Sequence, residues 1–188
     1  MQGKERLEAY LREHQVPFQF QQHARTFSAQ KIAESEHIPG KMVAKTVIAW
    51  ADNQMIALVL PASYRADLGK VRDLLGAQEI CLAHEAEFAA TFPDCAVGAM
   101  PPFGNLYGIP VYVEQHLAEQ EMMVFPAGTY TETMSLRYSD FERLVHPRVI
   151  VFASPYIGMK TATHLVDVAC DITRPPACQV PSIGAPLP

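Results

Sequence analysis

Apolar and polar residues follow one another along the chain with two periods, one typical of helices and one typical of strands. Apolar residues three and four positions apart predict helices at 4–14, from Thr26 or Ser28 to just before Pro39, and at 67–75, 84–92 and 140–145. Shorter apolar runs predict strands at 18–20, 43–50, 55–60, 78–82, 109–113, 122–125, 133–137 and 148–152. A polar turn at 52–54 predicts a hairpin between two of these strands.

These elements predict one mixed α/β domain over residues 1–154. The chain has 188 residues, which is enough for one domain with a substantial core and too few for two comfortable ones. Residues 155–188 contain six of the 15 prolines and show weak periodicity. We interpret this segment as a proline-rich tail without an assigned role, and expect a chain ending at residue 153 to fold.

Charge and hydropathy narrow the possible partners. The net charge of −5 argues against a protein that coats nucleic acid, because such binding needs many Lys and Arg contacts to phosphate. Contact with one end of an RNA through a few groups remains possible. The first residues show no signal-peptide pattern, and no apolar run is long enough to span a bilayer. We therefore expect a cytoplasmic protein without membrane association.

Metal-ligand patterns are missing from the sequence. The four cysteines form no CxxC pair and have no histidine at zinc-finger spacing, so we interpret them as reduced thiols. The seven histidines form no HExxH pair, and no GxSxG segment indicates an esterase nucleophile. We expect neither a metal nor a cofactor.

Lys45 is the most informative single residue. Strand alternation places it on the same face as Val43, Val47 and Ala49. An ammonium group among apolar neighbours needs an anion or an opening to water, because burying it without a partner is costly. Two interpretations stay open at this point: a strand lysine whose head reaches solvent, and a lysine that binds an anionic ligand.

The segment 97–108 is a second candidate. It contains three glycines and two adjacent prolines, which predict a structured loop. Backbone N–H groups of such a loop can hold an oxyanion or phosphate, although an ordinary tight connection has the same composition. The loop lacks the lysine and the spacing of a P-loop.

The ordered set of motifs resembles the YbaK-like aminoacyl-tRNA deacylases, which are related to the editing domain of bacterial prolyl-tRNA synthetase. The resemblance covers roughly residues 5–152. The motifs that carry it are His23 after an early strand, the AKTVI strand with Lys45 and Thr46, the ALVLPAS segment at 57–63, the ADLGKVRDLLGA helix, the GxxxP loop from Gly98 to Pro102, and the turn at Ala127 and Gly128 with the helix at 140–144 behind it.

The resemblance implies a barrel-like mixed sheet flanked by helices, with a cleft for the 3′ acceptor end of a mischarged transfer RNA (tRNA). It implies that Lys45 contacts the phosphate of the terminal nucleotide and that Gly98 orients the ester through its backbone. These two are the expected catalytic residues. The expected substrate-binding residues are His23, Thr46, Pro102 and Gly128.

The resemblance also implies hydrolysis without a protein nucleophile or metal. A positioned water, helped by the ribose hydroxyl of the substrate, would attack the activated ester. The segment after Gly128 varies with amino-acid choice in that family, so the substrate stays open, with small side chains favoured. Two alternatives remain: a binding or regulatory module of the same fold, and a hydrolase of another small ester.

Overall fold

The helices and strands follow the sequence periods closely. The computed structural model describes residues 3–23, 25 and 28–156, so most of the predicted tail lies outside the described residues. The helices are α1 (Gly3–Glu13), α2 (Ala29–Ser35), α3 (Leu68–Leu75), α4 (Glu85–Thr91), α5 (Gln115–Ala118) and α6 (Tyr138–Val145), with a 3₁₀ turn at Gly104–Tyr107. The strands are β1 (Gln19–Gln22), β2 (Ala44–Ala51), β3 (Gln54–Pro61), β4 (Tyr64–Ala66), β5 (Ile80–Leu82), β6 (Val111–Glu114), β7 (Met122–Pro126), β8 (Glu132–Arg137), β9 (Arg148–Ile150) and β10 (Ala153–Pro155).

The described strands form three sheets. The largest has the order β5-β2-β3-β6-β9, in which β2 and β3 are the predicted antiparallel hairpin while β3, β6 and β9 run parallel. A second sheet has the order β1-β8-β7, and β10 pairs with β4. The expected mixed α/β class is confirmed, and helices flank the sheets.

The sheets are not closed into a barrel, which corrects the barrel-like expectation. Closure requires continuous pairing around the sheet. Among the described residues, the backbone pairing between the two larger sheets is an isolated bridge between Val43 and Val124, with the hydrogen bond from Val124 N to Met42 O at 2.9 Å. Strand β3 pairs along the whole of β2, and β5 pairs with the other edge only at Ala49–Ala51, whereas β7 pairs with the chain just before β2 at Val43 alone.

Strand β3 is buried on both faces and separates two apolar clusters. Because side chains alternate along a strand, Ala57 and Val59 join one cluster, while Ile56, Leu58 and Leu60 join the other. The first cluster includes residues of α1, α6, β7 and β8, and the second includes Val71 of α3 and Phe152. The hairpin that carries Lys45 is therefore anchored from both sides.

The carboxylate of Glu114 holds the end of the described chain in place. Its side chain is fully buried at the end of β6. Its Oε2 accepts the backbone N–H groups of Phe152 at 2.6 Å and Ala153 at 2.7 Å, and its Oε1 lies 2.8 Å from His116 Nδ1. These contacts position β10 beside β4 and bring the following residue, Tyr156, to the hairpin.

Candidate functional site

A cavity of about 360 Å³ opens beside Lys45. Its walls come from six places in the chain: the start of α2, the first half of β2, the first residue of α4, the loop after α4, the end of β7 with the segment that follows it, and the residue after β10. The described residues that line it are Ser28, Ala29, Gln30, Ile32, Lys45, Thr46, Val47, Glu85, Val97, Gly98, Ala99, Pro126, Thr129, Tyr130 and Tyr156. Small and apolar side chains make up much of this lining.

Lys45 is the only cationic side chain among the described lining residues, and it is half-buried. Its Nζ donates a hydrogen bond to Tyr156 Oη at 3.2 Å and lies 5.0 Å from the centre of the Tyr156 ring. Within the described part of the chain no carboxylate forms an ion pair with it. The positive charge of Lys45 is therefore available to an anionic ligand.

Gly98 lines the same cavity in a backbone conformation that suits glycine. Its φ angle is +80°, and a Cβ atom there would meet nothing within 4 Å, so backbone conformation rather than lack of space favours glycine. The residue is exposed, and its N–H lies 3.2 Å from the Met100 sulfur. A thioether is a weak acceptor, so this N–H can donate instead to a stronger acceptor on a ligand.

Two backbone hydrogen bonds fasten the Gly98 loop to the turn at Gly128. Ala96 N donates to Gly128 O at 2.8 Å, and Gly128 N donates to Ala99 O at 2.9 Å. Tyr130 adds a hydrogen bond from its hydroxyl to Val97 O at 2.5 Å. Because three contacts span the loop, it is held in one shape.

Glu132 supports the same turn from outside the cavity. It accepts hydrogen bonds from Lys4 Nζ at 2.6 Å and from Thr129 Oγ1 at 2.9 Å. Burial favours the neutral carboxyl, but these hydrogen bonds and the Lys4 charge outweigh it, so the pKa of Glu132 is lowered. The group stays ionised at neutral pH and keeps Thr129 at the cavity wall.

The structure brings three of the six expected site residues to the cavity: Lys45, Thr46 and Gly98. Gly128 is buried behind the wall and acts on the cavity through the backbone hydrogen bonds to the loop. Pro102 is buried and lies outside the lining. The His23 side chain is 5% exposed, with Nε2 4.0 Å from Glu36 Oε1, also outside the lining.

Several lining residues carry no signal in the sequence. Glu85 begins α4 and is the only carboxylate among the described lining residues. Tyr130 and Ser28 show no pattern of their own. Only their closeness in sequence to Gly128 and to His23 could have marked them as lining residues. Tyr156 follows the last described strand and is separated from Lys45 by 111 positions, so no local pattern could predict the contact.

The described cysteines differ in state. Cys81 is disulfide-bonded, so the expectation of reduced thiols is wrong for this residue. Cys95 is a free thiol beside Tyr107 and Asp94, and burial raises its pKa to about 11. Its sulfur is therefore protonated at neutral pH and a poor nucleophile.

The fold and the cavity define a mixed α/β domain in which a lysine and a glycine loop line one cavity. The chain belongs to the aminoacyl-tRNA editing domain family, whose model matches residues 23–144. No curated protein sequence matches the chain.

Solved structures share the fold at low sequence identity. A protein assigned as a trans-editing enzyme for prolyl-tRNA synthetase superimposes with a TM-score of 0.71 at 18% identity, covering 81% of this chain and 97% of that one. A hypothetical protein gives 0.72 at 16% identity, covering 79% and 99% of the two chains. A scaffold protein from computational epitope grafting gives 0.72 at 17%, covering 81% and 97%.

Proposed function

We propose that the chain is a trans-editing deacylase that hydrolyses mischarged aminoacyl-tRNA carrying a small amino acid. The observation that carries the proposal is the Lys45 ammonium, without a carboxylate partner among the described residues, lining the same cavity as the Gly98 loop. The family to which the chain belongs supports the reaction class. The resemblance to the YbaK-like deacylases supports the individual roles.

The two charged lining residues match the two charges of the substrate end. Lys45 would bind the phosphate of the terminal nucleotide. Glu85, which has no hydrogen bond or ion pair within the described part of the chain, would face the α-ammonium of the attached amino acid. The apolar lining from Ile32, Val97 and Pro126 would surround a small side chain and reject a large one.

Hydrolysis in this cavity would depend on positioning rather than on a protein nucleophile. The Gly98 N–H would leave the Met100 sulfur for the ester carbonyl oxygen and stabilise the negative charge that develops there. A water held against the ester, with the neighbouring ribose hydroxyl, would complete the reaction. Within the described residues no group of three or more histidine, cysteine, aspartate or glutamate side chains is placed to hold a metal ion.

The proposal places the protein in the cytoplasm, where tRNA is charged. No helix in the described ranges is long and apolar enough to cross a membrane.

A panel of tRNAs charged with different amino acids tests the proposal, with release of free amino acid measured in the presence of EDTA. We expect fast release from one or a few tRNAs carrying small residues such as alanine, serine, threonine or cysteine. Binding without release would favour a regulatory module. Equal hydrolysis of small esters that lack a tRNA body would favour a general esterase.

A further inference from the structure

A second cleft of about 750 Å³ begins on the other side of Lys45. Lys45, Val47 and Tyr156 line both cavities, and the hydrogen bond between Lys45 Nζ and Tyr156 Oη at 3.2 Å forms the partition. A group bound to Lys45 would therefore touch both spaces. This volume falls within the range of about 300–1,000 Å³ that is typical of ligand sites.

The chemistry of the second cleft is cationic and aromatic. Arg65 lies on β4 opposite Ser154 of β10, and its guanidinium has no hydrogen bond or ion pair within the described ranges. Asp67 is the only acid among the described lining residues, and its Oδ1 already accepts the N–H of Lys70 at 3.1 Å as the N-cap of α3. Two cations and one capping acid give this cleft a positive balance in a chain whose net charge is −5.

Tyr156 supplies an accessible aromatic surface. Its side chain is 45% exposed although its hydroxyl and backbone are held, the hydroxyl by Lys45 and the backbone N–H by Ser63 O at 3.1 Å. A ring of a residue that is held at one end and 45% exposed can stack against a nucleobase. Such stacking, combined with nearby cations that track the phosphates, is how proteins bind single-stranded nucleic acid.

We infer that the second cleft binds the nucleotide preceding the terminal one in a single-stranded RNA 3′ end. This rests on the proposed function. A phosphate at Lys45 joins two nucleosides, and the first cavity takes the terminal, aminoacylated one. The preceding nucleoside must leave on the other side of the partition, where Tyr156 stacks its base and Arg65 binds its own 5′ phosphate.

The experiment compares Arg65→Gln with Arg72→Gln as the matched control, because Arg72 is an exposed arginine on α3 that lines neither cavity. Each variant is tested with two substrates. One is an aminoacylated RNA minihelix ending in CCA, and the other is adenosine 5′-monophosphate that carries the amino acid as an ester on its ribose hydroxyl. The second substrate retains the phosphate for Lys45 but lacks the preceding nucleotide.

We expect Arg65→Gln to raise KM for the minihelix about tenfold, the effect of one charge-assisted hydrogen bond. Hydrolysis of the adenosine ester should not change, and Arg72→Gln should behave as the parent. The slope of log KM against log salt for the minihelix should fall by about 0.7, the contribution of one phosphate in single-stranded nucleic acid. An unchanged minihelix KM would overturn the inference, and so would an equal loss on both substrates.

Binding of an uncharged CCA-ending minihelix separates this inference from the proposed reaction. If the parent hydrolyses neither ester but binds this RNA, and Arg65→Gln weakens the binding about tenfold, the deacylase proposal fails and the cleft stands. If the parent and Arg65→Gln bind this RNA equally, or the parent does not bind it, the cleft is not an RNA site.

Discussion

Lys45 is held by a phenol rather than by a carboxylate. Its hydrogen bond to Tyr156 orients the ammonium without neutralising it. The side chain is half-buried, so an anion that reaches it is partly screened from water. The same residue lines both cavities, which makes it the point at which a substrate spanning the two would be fixed.

Lys45→Ala should lower kcat/KM for deacylation by about tenfold to a hundredfold, because a hydrogen bond to a charged group contributes roughly 1.5–3 kcal/mol. Steady-state kinetics with a mischarged tRNA measures the loss, and thermal unfolding checks that the variant is folded. Lys31→Ala is the control, since Lys31 is exposed on α2 and lines neither cavity. A folded Lys45→Ala protein with the parent's rate would contradict the role.

Glu85→Gln tests recognition of the substrate α-ammonium. We expect a loss of about threefold to fivefold with the free-amine substrate, the size of an exposed ion pair of up to about 1 kcal/mol. Acetylation of the amino group should slow the parent but leave Glu85→Gln almost unaffected, because the interaction is already absent. A purely structural role would give the same acetylation effect in both proteins. Glu142→Gln is the control, because Glu142 is exposed on α6 and lines neither cavity.

At the scale of elements, the short pairing of β10 with β4 organises one side of both cavities. Each strand has three residues, and the pairs are Ala153 with Ala66, Ser154 with Arg65 and Pro155 with Tyr64. So few pairs form a weak element by themselves. The buried Glu114 carboxylate adds two hydrogen bonds at the start of β10, so β6 supports a strand with which it does not pair.

Glu114→Ala should lower the melting temperature, because two buried N–H groups lose their acceptor at a cost of about 1–3 kcal/mol each. For a chain of this size 1 kcal/mol corresponds to about 2–4 °C. Calorimetry measures the shift, and Glu119→Ala should leave the melting temperature unchanged, because Glu119 is an exposed acid just after α5. Glu114→Gln keeps one acceptor oxygen, so its melting temperature should lie between those of Glu114→Ala and Glu119→Ala. Equal melting temperatures for all three variants would show that Glu114 does not hold β10.

At the scale of the whole molecule, the predicted division between domain and tail falls inside an element. Pro155 belongs to β10, and Tyr156 lines both cavities. Two shortened chains, one ending at Ala153 and one at Tyr156, test whether residues 154–156 belong to the domain. Both lack residues 157–188, so they differ only in these three residues. We expect the longer one to melt at a higher temperature and to have the lower KM for mischarged tRNA. Identical behaviour would mean that residues 154–156 contribute nothing.

The overall charge of −5 limits how the whole protein can bind RNA. If Lys45 and Arg65 are the main phosphate contacts, log K should fall with log salt with a slope of about −1.4, from about 0.7 per phosphate on a single strand. Binding of a non-hydrolysable aminoacyl-tRNA analogue across a salt series measures this slope. A slope of about −4 would indicate six or more contacts and an extensive basic surface elsewhere.

The local pattern of residues by itself determined the kind and order of most elements. The helix at 67–75 ends at Gly76, whose φ angle is +67°, and the polar turn joins β2 to β3 as predicted. Strand alternation placed Lys45 beside apolar neighbours without saying what it faces. These features follow from contacts between residues close in sequence, which is why the pattern contains them.

Only the tertiary structure decided how distant segments meet. Strands β4 and β10 are too short to show a period, so their pairing and the place of Tyr156 depend on Glu114 and on β6. The barrel-like closure expected from the resemblance is absent from the described strands, because β7 pairs with the segment before β2 only at the Val43–Val124 bridge and does not continue along β2. Lys45, Glu85 and Tyr156 share one site because sheet register and buried hydrogen bonds, rather than sequence spacing, determine which distant residues become neighbours.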